Sequence, residues 1–350
     1  MTERVLVTGA TGFIAQHCIL ALTEAGYAVR GTARGAGRTQ EVVNTLVPHL
    51  SDAARSLLAN EFEVVVTDLG ADEGWRSAAQ GCRFVLHVAS PLPRRPPKHD
   101  DELIVPARDG TLRVLRAAHE ADVERVVLTS SIAAIIYGSD RSRTFDESDW
   151  SDVNGPRIGA YEKSKTVAER AAWDFVGALP EPASLQLAVV NPGLVLGPIL
   201  SPDWGTSAEL VRRIMVRGVP AIPDLNFAPV DVRDVASAHV AAMTAPVAAG
   251  ERFICAIENH SMMEVALILD EHLSGRGFNI PTRRLPSFVI RAMATWDQTV
   301  RLALNDLGTV QDVDSSKIRR VLEWRPRSLR EMTIATADSM IEYGVAQPKG

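Results

Sequence analysis

A tyrosine and a lysine four residues apart are the side chains of this sequence best suited to acid–base chemistry. Tyr161 and Lys165 stand at the two ends of the segment YEKSK, and residues at this spacing share one face of a helix. A phenol with a pKa of about 10 donates its proton poorly at neutral pH unless a nearby cation stabilises the phenolate. Lys165 provides that cation, so the pair could protonate a carbonyl oxygen. An exposed helix face with no chemical role is the alternative.

Three hydroxyl side chains, Thr129-Ser130-Ser131, end a predicted strand upstream of this pair. Ligands of a parallel sheet sit outside the carboxyl ends of its strands, where a hydroxyl can hydrogen-bond a substrate carbonyl and stabilise developing alkoxide charge. We assign this role to Ser131 and keep Ser130 as the alternative. A polar strand end that caps the next segment would explain the same residues without chemistry.

A loop of the pattern TGxxGxxA, Thr8–Ala15, lies between the first predicted strand and the first predicted helix. Gly9 permits a tight turn, and Gly12 lets the backbone approach a pyrophosphate. Ala15 is small enough for close packing of the helix on the strand. The free N–H groups and the positive dipole end of the helix would face the phosphates. The loop and its context predict a dinucleotide site.

The end of the second predicted strand indicates which dinucleotide binds. NAD-dependent enzymes usually place an acidic residue here for the ribose 2′-hydroxyl. This sequence has none and offers Arg34, with Arg38 nearby. Guanidinium groups bind phosphates well, so we predict NADP(H) as the cofactor. Solvated surface arginines are the alternative.

Two later strand ends, Asp68-Leu69 and Val88-Ala89-Ser90, would also face the cofactor. Asp68 could hydrogen-bond the adenine amine, although it could equally cap a helix that starts near Asp72. The backbone of the second segment would run beside a ribose. Ser90 could also be an ordinary turn residue.

These residues need a sheet that presents several strand ends to one ligand. Short, mostly continuous apolar runs predict strands covered on both faces, at Arg4–Thr8, Ala28–Ala33, Glu61–Val66, Phe84–Ala89, Val126–Ser130 and Leu187–Asn191. Helices are predicted between them, at Gly12–Gly26, Thr39–Asn60, Asp72–Gln80, Asp100–Ala121 and Ala160–Ala178. The alternation predicts an α/β protein with a Rossmann-type, doubly wound parallel sheet.

After Asn191 prolines cluster and the pattern becomes mostly helical. Helices are predicted at Thr206–Arg217, Asp231–Thr244, Met262–Ser274 and Pro286–Asp306. We therefore predict a dinucleotide-binding domain at residues 1–191. Residues 192–350 would form a smaller, mostly helical substrate-binding lobe, interleaved with the last strands of the sheet.

Composition and charge exclude several classes of protein. The 350 residues carry a net charge of −6, which argues against binding to nucleic acid or to an anionic membrane. Three widely spaced cysteines and eight scattered histidines give no metal-ligand spacing, so we expect no metal site. No signal peptide is visible, and no apolar stretch approaches the roughly 20 residues that span a bilayer. We expect a cytoplasmic protein.

The ordered set of motifs resembles the extended short-chain dehydrogenase/reductases. Within them it is most similar to the dihydroflavonol-reductase-like and methylglyoxal (aldehyde) reductase-like enzymes. The matching segments span nearly the whole chain: GATGFIAQH at 9–17, HVASP at 87–91, DGTLRVLRA at 109–117, LTSS at 128–131, DESDWSD at 146–152, YEKSKTVAE at 161–169, NPGLVLGP at 191–198, VDVRDVASAH at 230–239 and DSSKIRRVLEWRP at 314–326.

The resemblance implies that NADPH reduces an aldehyde or ketone, with Tyr161 as the acid, Lys165 as its partner and Ser131 orienting the carbonyl. It implies a small-molecule substrate and a monomer or homodimer. Asp231 and Asp234 are expected to cap and brace the helix that contains His239. The full set of predicted cofactor contacts is Gly9, Thr11, Gly12, Phe13, Ile14, Arg34, Arg38, Asp68, Leu69, Val88, Ala89, Ser90, Thr129, Tyr161, Lys165, Pro192, Val195 and Ser207.

The chain departs from the flavonoid-reducing plant members after Ser131. Those members usually have a polar residue near this point, whereas this chain has Ile132-Ala133-Ala134; this favours an apolar pocket for an aldehyde or ketone. Nucleotide-sugar epimerases or dehydratases and hydroxysteroid dehydrogenases share the fold and the Tyr–Lys pair, so they remain alternatives. A sensor that holds NADP(H) without chemistry is a further alternative, but such proteins commonly lack the tyrosine.

Overall fold

Seven parallel strands form the main sheet of the computed structural model, which describes residues 2–91, 97–138, 143–180, 185–202, 204–286, 288–290 and 307–348. Six of these strands come from the first part of the chain: β1 Arg4–Val7, β2 Ala28–Ala33, β3 Glu63–Val66, β4 Phe84–His87, β5 Arg125–Thr129 and β6 Gln186–Pro192. Their order across the sheet is β3-β2-β1-β4-β5-β6. This is the doubly wound order, and it confirms the predicted Rossmann-type fold.

Helices connect the strands and cover both faces of the sheet. In chain order they are α1 Phe13–Glu24, α2 Arg38–Leu46, α3 Asp52–Glu61, α4 Trp75–Ala79, α5 Asp101–Glu120 and α6 Ala160–Gly177. Every residue of β4 and β5 is buried, as expected for strands covered on both faces. Val5 lies opposite Val29 on one side and opposite Phe84 on the other, so branched and aromatic side chains fill the layers above and below β1.

The region after residue 192 adds short strand pairs and a second group of helices. Strand β7 Leu194–Leu196 pairs with β9 Pro229–Asp231, and β8 Asn226–Phe227 pairs with β11 His260–Ser261. The helices are α7 Thr206–Met215, α8 Val232–Thr244, α9 Met262–His272, α10 Ser316–Val321 and α11 Leu329–Glu342. Helices α7, α9 and α11 share a separate apolar core, which includes Ile214, Leu269 and Met340.

The seventh strand of the main sheet, β10 Arg252–Cys255, was not predicted. It pairs in parallel with β6, and Phe253 lies opposite Val190. Helix α8 also packs on this sheet and against α1. Arg125 of β5 holds the end of α8 by donating to the carbonyls of Ala242, Met243 and Ala245. The sheet therefore continues past residue 191, and the predicted division into two domains stays a prediction.

Two predicted helices differ from the observed ones. The segment Thr39–Asn60 forms α2, a short 3-10 turn and α3 rather than one helix, because Pro48 cannot donate the backbone hydrogen bond that would continue α2. Helix α4 begins only at Trp75, since Gly74 before it adopts a positive φ of 82°. The predicted helix Pro286–Asp306 lies largely outside the described residues.

Candidate active site

Tyr161 and Lys165 lie in the first turns of α6, which begins immediately after Gly159. The helix places both side chains against the carboxyl end of β5. The Ser131 side chain lies near the Tyr161 phenol and lowers its pKa, and the Lys165 ammonium donates to the Thr129 carbonyl across 3.3 Å. The structure thus brings together all three residues to which the sequence analysis assigned catalysis.

The two candidate serines point in different directions. Ser131 Oγ accepts from the Ala133 amide at 3.1 Å and lies beside the phenol. Ser130 Oγ instead donates to the buried Glu169 carboxylate at 2.5 Å. Because successive side chains of an extended segment alternate in direction, only Ser131 shares a site with Tyr161. We therefore keep Ser131 as the proposed carbonyl ligand.

Burial shifts the pKa values of the phenol and the amine in opposite directions. The Tyr161 residue is 37% exposed, yet burial of its hydroxyl end raises the phenol pKa, and the nearby Ser131 side chain offsets part of this rise. Burial lowers the pKa of Lys165 to about 8, against the attraction of Glu169. At neutral pH Lys165 therefore keeps its charge and can stabilise a phenolate.

The glycine-rich loop has the shape that a bound pyrophosphate needs. Gly9 has a φ of 70°, and a Cβ on it would lie 3.1 Å from the Ala89 Cβ. A Cβ on Gly12 would lie 3.2 Å from the Gly9 carbonyl oxygen. Helix α1 has no side-chain cap, so its first amide groups can receive an anion. These observations fit a dinucleotide whose phosphates lie over the start of α1.

Arg34 and Arg38 follow β2, where the sequence analysis placed the 2′-phosphate. Arg34 is exposed, and within the described part of the chain its guanidinium makes no hydrogen bond or ion pair. Arg38 starts α2 and forms an ion pair with Glu41 at 2.5 Å. Arg34 is therefore the cation available to an incoming phosphate, and a contact from Arg38 would compete with Glu41.

Several of the other predicted cofactor residues border one narrow crevice. Ala89, Ser90, Thr129, Ser130 and Lys165 line it between the ends of β4 and β5 and helix α6. Val88, half-buried, directly precedes this group along the chain. The Thr8 hydroxyl accepts from the Ala89 amide at 2.9 Å, which fixes the backbone after β4 beside the glycine-rich loop. The crevice therefore brings Lys165 close to the backbone that follows β4.

Asp68 stabilises a turn and does not cap a helix. Its Oδ1 accepts from the Gly70 amide at 2.7 Å, and helix α4 is preceded by Gly74. The suggestion that Asp68 caps this helix is therefore wrong, whereas a contact with adenine stays a prediction. The neighbouring Leu69 packs against Gly110 of α5, where a Cβ would come within 2.9 Å of the leucine side chain.

The second half of the chain supplies the remaining predicted contacts. Pro192 and Val195 are buried at and just after the end of β6, and Ser207 is half-buried in the first turn of α7. Phe13 approaches this region, because a Cβ on Gly205 would lie 3.3 Å from its ring. Thr11 and Ile14, both half-buried, belong to the loop and the first turn of α1. Their contacts with a cofactor stay predictions.

Asp231 and Asp234 have the structural roles expected of them. Asp231 caps α8 by accepting from the Arg233 amide at 2.8 Å. Asp234 accepts from the Arg327 amide at 2.7 Å, and so joins α8 to the segment before α11. His239 of the same helix accepts from the Thr129 hydroxyl at 2.6 Å. This bond holds the end of β5 in place, where the Thr129 carbonyl accepts from Lys165.

A buried ion pair next to the site was not predicted from the sequence. Glu169, one turn after Lys165, pairs with Arg252 of β10 at 2.5 Å. Repetition of the four-residue spacing from Tyr161 through Lys165 to Glu169 was a usable signal, since it places all three on one helix face. Arg252 gave no such signal because it begins a strand that was not predicted.

No helix among the described residues is long and apolar enough to cross a membrane. The same residues hold no cluster of three or more His, Cys, Asp or Glu side chains that could bind a metal ion. Cys18, Cys82 and Cys255 are buried and unpaired.

Comparison with known proteins gives consistent matches. The sequence profile described as the NAD dependent epimerase/dehydratase family matches residues 5–256. The NADPH-dependent methylglyoxal reductase of Saccharomyces cerevisiae is 31% identical, over 97% of this chain and 98% of its own. Cinnamoyl-CoA reductase 1 of Arabidopsis thaliana is 37% identical, over 76% of this chain and 74% of its own.

A solved structure agrees with these matches. The crystal structure of the yeast methylglyoxal/isovaleraldehyde reductase, which was determined as a complex with NADPH, has a TM-score of 0.79 and 29% identity to this chain. The match covers 98% of this chain and 99% of the yeast chain. The likeness therefore includes the second half of the molecule as well as the sheet.

Proposed function

Because this chain belongs to the NAD dependent epimerase/dehydratase family, the extended short-chain dehydrogenase/reductases, we propose that it is an NADPH-dependent reductase that converts an aldehyde or ketone to an alcohol. The observation that supports this most strongly is the contact of Ser131 with the Tyr161 phenol, beside a buried Lys165. This group stands at the strand ends next to the glycine-rich loop. The apolar segment Ile132-Ala133-Ala134 directly after Ser131 suits an aldehyde or ketone.

Each of the proposed site residues has its own role in the reduction. NADPH, when bound, supplies the hydride. Ser131 and Tyr161 hold the carbonyl oxygen by hydrogen bonds, which fixes the carbonyl carbon for attack. Tyr161 then gives its proton to the oxygen, and the Lys165 charge stabilises the resulting phenolate. Residues Gly9, Gly12 and Arg34 would hold the nucleotide during these steps.

The choice of cofactor can be tested at Arg34. In the Arg34→Gln variant we expect KM for NADPH to rise roughly 10- to 100-fold, because a charge-assisted hydrogen bond to a phosphate contributes about 1.5–3 kcal/mol. KM for NADH should change little, since NADH has no 2′-phosphate. Steady-state kinetics with each nucleotide at a fixed carbonyl concentration measure both values.

The exposed Arg116 of α5 provides the control for this experiment. The Arg116→Gln variant changes the same net charge far from β2, so it should leave both KM values unchanged. An equal rise in KM for NADPH and NADH in the Arg34→Gln variant would contradict the proposed phosphate contact.

The class of substrate can be tested with a panel of compounds. Purified protein and NADPH are mixed with methylglyoxal, isovaleraldehyde, cinnamoyl-CoA or a UDP-sugar, and the loss of nicotinamide absorbance is followed. We expect oxidation of NADPH with at least one aldehyde or ketone. Conversion of the UDP-sugar in a parallel mixture with NAD⁺ or NADP⁺ as the hydride acceptor, without net change in absorbance, would favour an epimerase. Tight binding of NADPH without turnover of any compound would favour a sensor.

A further inference from the structure

Glu169 is the hub of a buried polar network directly beneath the proposed site. Its side chain has no exposed surface. One carboxylate oxygen accepts from Ser130 at 2.5 Å and from Asn191 at 2.8 Å, and the other accepts from Arg252 at 2.5 Å. A buried carboxylate is stable only when it is paired and fully hydrogen-bonded, and this one has three donors.

The partners of Glu169 come from three neighbouring strands. Ser130 follows β5, Asn191 lies near the end of β6, and Arg252 begins β10. The Asn191 amide also donates to the Ser131 carbonyl at 3.1 Å. One carboxylate on α6 therefore fixes the backbone on both sides of the hydroxyl that faces Tyr161.

Arg252 extends the network to the segment before α6. Its Nη1 atom donates to the carbonyls of Glu147 and Asp149, at 2.7 Å and 2.8 Å. Its guanidinium carbon also lies 3.8 Å from the centre of the Trp150 ring. The cation is held by these contacts as well as by Glu169, so the carboxylate and its counter-ion have fixed positions.

Glu169 also acts on Lys165 through its charge. Both side chains line the same crevice, and the carboxylate favours the charged amine. We propose that Glu169 is a positioning residue of the reductase, which keeps Lys165 charged and Ser131 in place while Tyr161 transfers its proton. This inference rests on the proposed function.

The other titratable groups near Lys165 do not account for the stabilisation of its charge. His87 on β4 and His239 on α8 are buried, and burial lowers their pKa values to about 3 and about 4, so both stay neutral over the working pH range. Glu162 lies near the Tyr161 phenol and raises its pKa. Arg252 faces Glu169 from β10. Among the described residues, Glu169 is the buried anion of this group.

The test is the pH dependence of kcat/KM for isovaleraldehyde, or for the most active carbonyl of the panel, with saturating NADPH. Reduction needs Tyr161 protonated and Lys165 charged, so the rate falls as pH rises through the pKa values of this coupled pair. Loss of the Glu169 charge lowers the pKa of Lys165. In the Glu169→Gln variant the basic limb should therefore move to lower pH by roughly one unit, which reduces the rate at pH 8 about fivefold.

Two further variants distinguish an effect of the Glu169 charge from an effect of its packing. Glu169→Asp restores the carboxylate on a shorter side chain, so its basic limb should return toward that of the wild-type protein even if kcat stays low. Asp174→Asn makes the same change of charge at an exposed position of α6 and should leave the limb unmoved. If Glu169→Gln lowers kcat at every pH without moving the limb, Glu169 is only structural and the proposal is wrong.

The isosteric glutamine keeps the size of the side chain, and its amide oxygen can accept from Ser130 and Asn191 as the carboxylate does. Should Arg252, left uncompensated, prevent folding, the double variant Glu169→Gln/Arg252→Gln removes both charges. Its limb should still move to lower pH, and an unmoved limb would again contradict the proposal. If the wild-type protein fails to oxidise NADPH with every carbonyl of the panel, the proposed function itself is wrong.

Discussion

Replacement of Tyr161 by phenylalanine should lower kcat for carbonyl reduction by at least about 100-fold, the lower end for loss of an acid–base group. Phenylalanine keeps the ring and removes only the hydroxyl that contacts Ser131. The transition state then loses its proton donor and one of two hydrogen bonds to the carbonyl oxygen. The glycine-rich loop and Arg34 are unchanged, so NADPH should bind as before.

Two measurements on the same preparation check this expectation. NADPH oxidation gives kcat, and the change in NADPH fluorescence on binding gives Kd. Tyr343→Phe, which removes a half-buried phenol just after α11, is the matched control and should keep wild-type turnover. If Tyr161→Phe retains kcat within about threefold, another group donates the proton and the assignment of Tyr161 fails.

Mild acid should destabilise this protein strongly, because three of its histidines are buried in neutral form. Burial lowers the pKa values of His17 and His239 to about 4, and that of His87 to about 3, from a normal value of 6.5. Each ring makes a hydrogen bond inside the fold, to Pro198, Thr129 and Thr8 respectively. None of the three can take up a proton without losing this environment.

The direction of the effect follows from proton binding by the two states. As pH falls below 6.5, these histidines take up protons in the unfolded chain but not in the folded protein. Protonation therefore favours unfolding. The loss continues until pH reaches the folded-state values of about 4 and about 3. Each histidine can contribute about 1.4 kcal/mol per pH unit, and the three together up to about 4 kcal/mol per pH unit.

Urea unfolding between pH 7 and pH 5 measures this loss, in a range where most carboxylates stay ionised. The free energy of unfolding should fall steeply below pH 6.5. His17→Gln, which can still donate to Pro198, should remove about a third of the slope, and His99→Gln at an exposed position should remove none. A free energy that stays constant from pH 7 to pH 5 would contradict the expectation.

The sequence predicted the first six strands well because they are short apolar runs with helices between them. It could not predict β10, whose four residues begin with a charged arginine. That arginine can be buried because Glu169, 83 positions away in the chain, neutralises it and two backbone carbonyls accept from it. Such a pairing has no local signature, since it depends on how β10 and α6 meet in three dimensions.

Local reasoning also left the two serines of the site unresolved. Ser130 and Ser131 have the same chemistry and neighbouring positions, and only the partners of each hydroxyl distinguish them. Glu169 holds one, and Tyr161 contacts the other. The sequence could likewise place Arg34 after β2, but it could not show that Arg38 is paired with Glu41.

The origin of β10 from a late part of the chain has a consequence for biosynthesis. By the time residue 191 leaves the ribosome, Ser131, Tyr161 and Lys165 have all been made. Strand β6 would still be a bare edge, and the anion beneath the lysine would lack its counter-ion, because Arg252 has yet to be translated. The nascent chain therefore lacks this counter-ion until residue 252 has emerged, although the proposed catalytic groups are present much earlier.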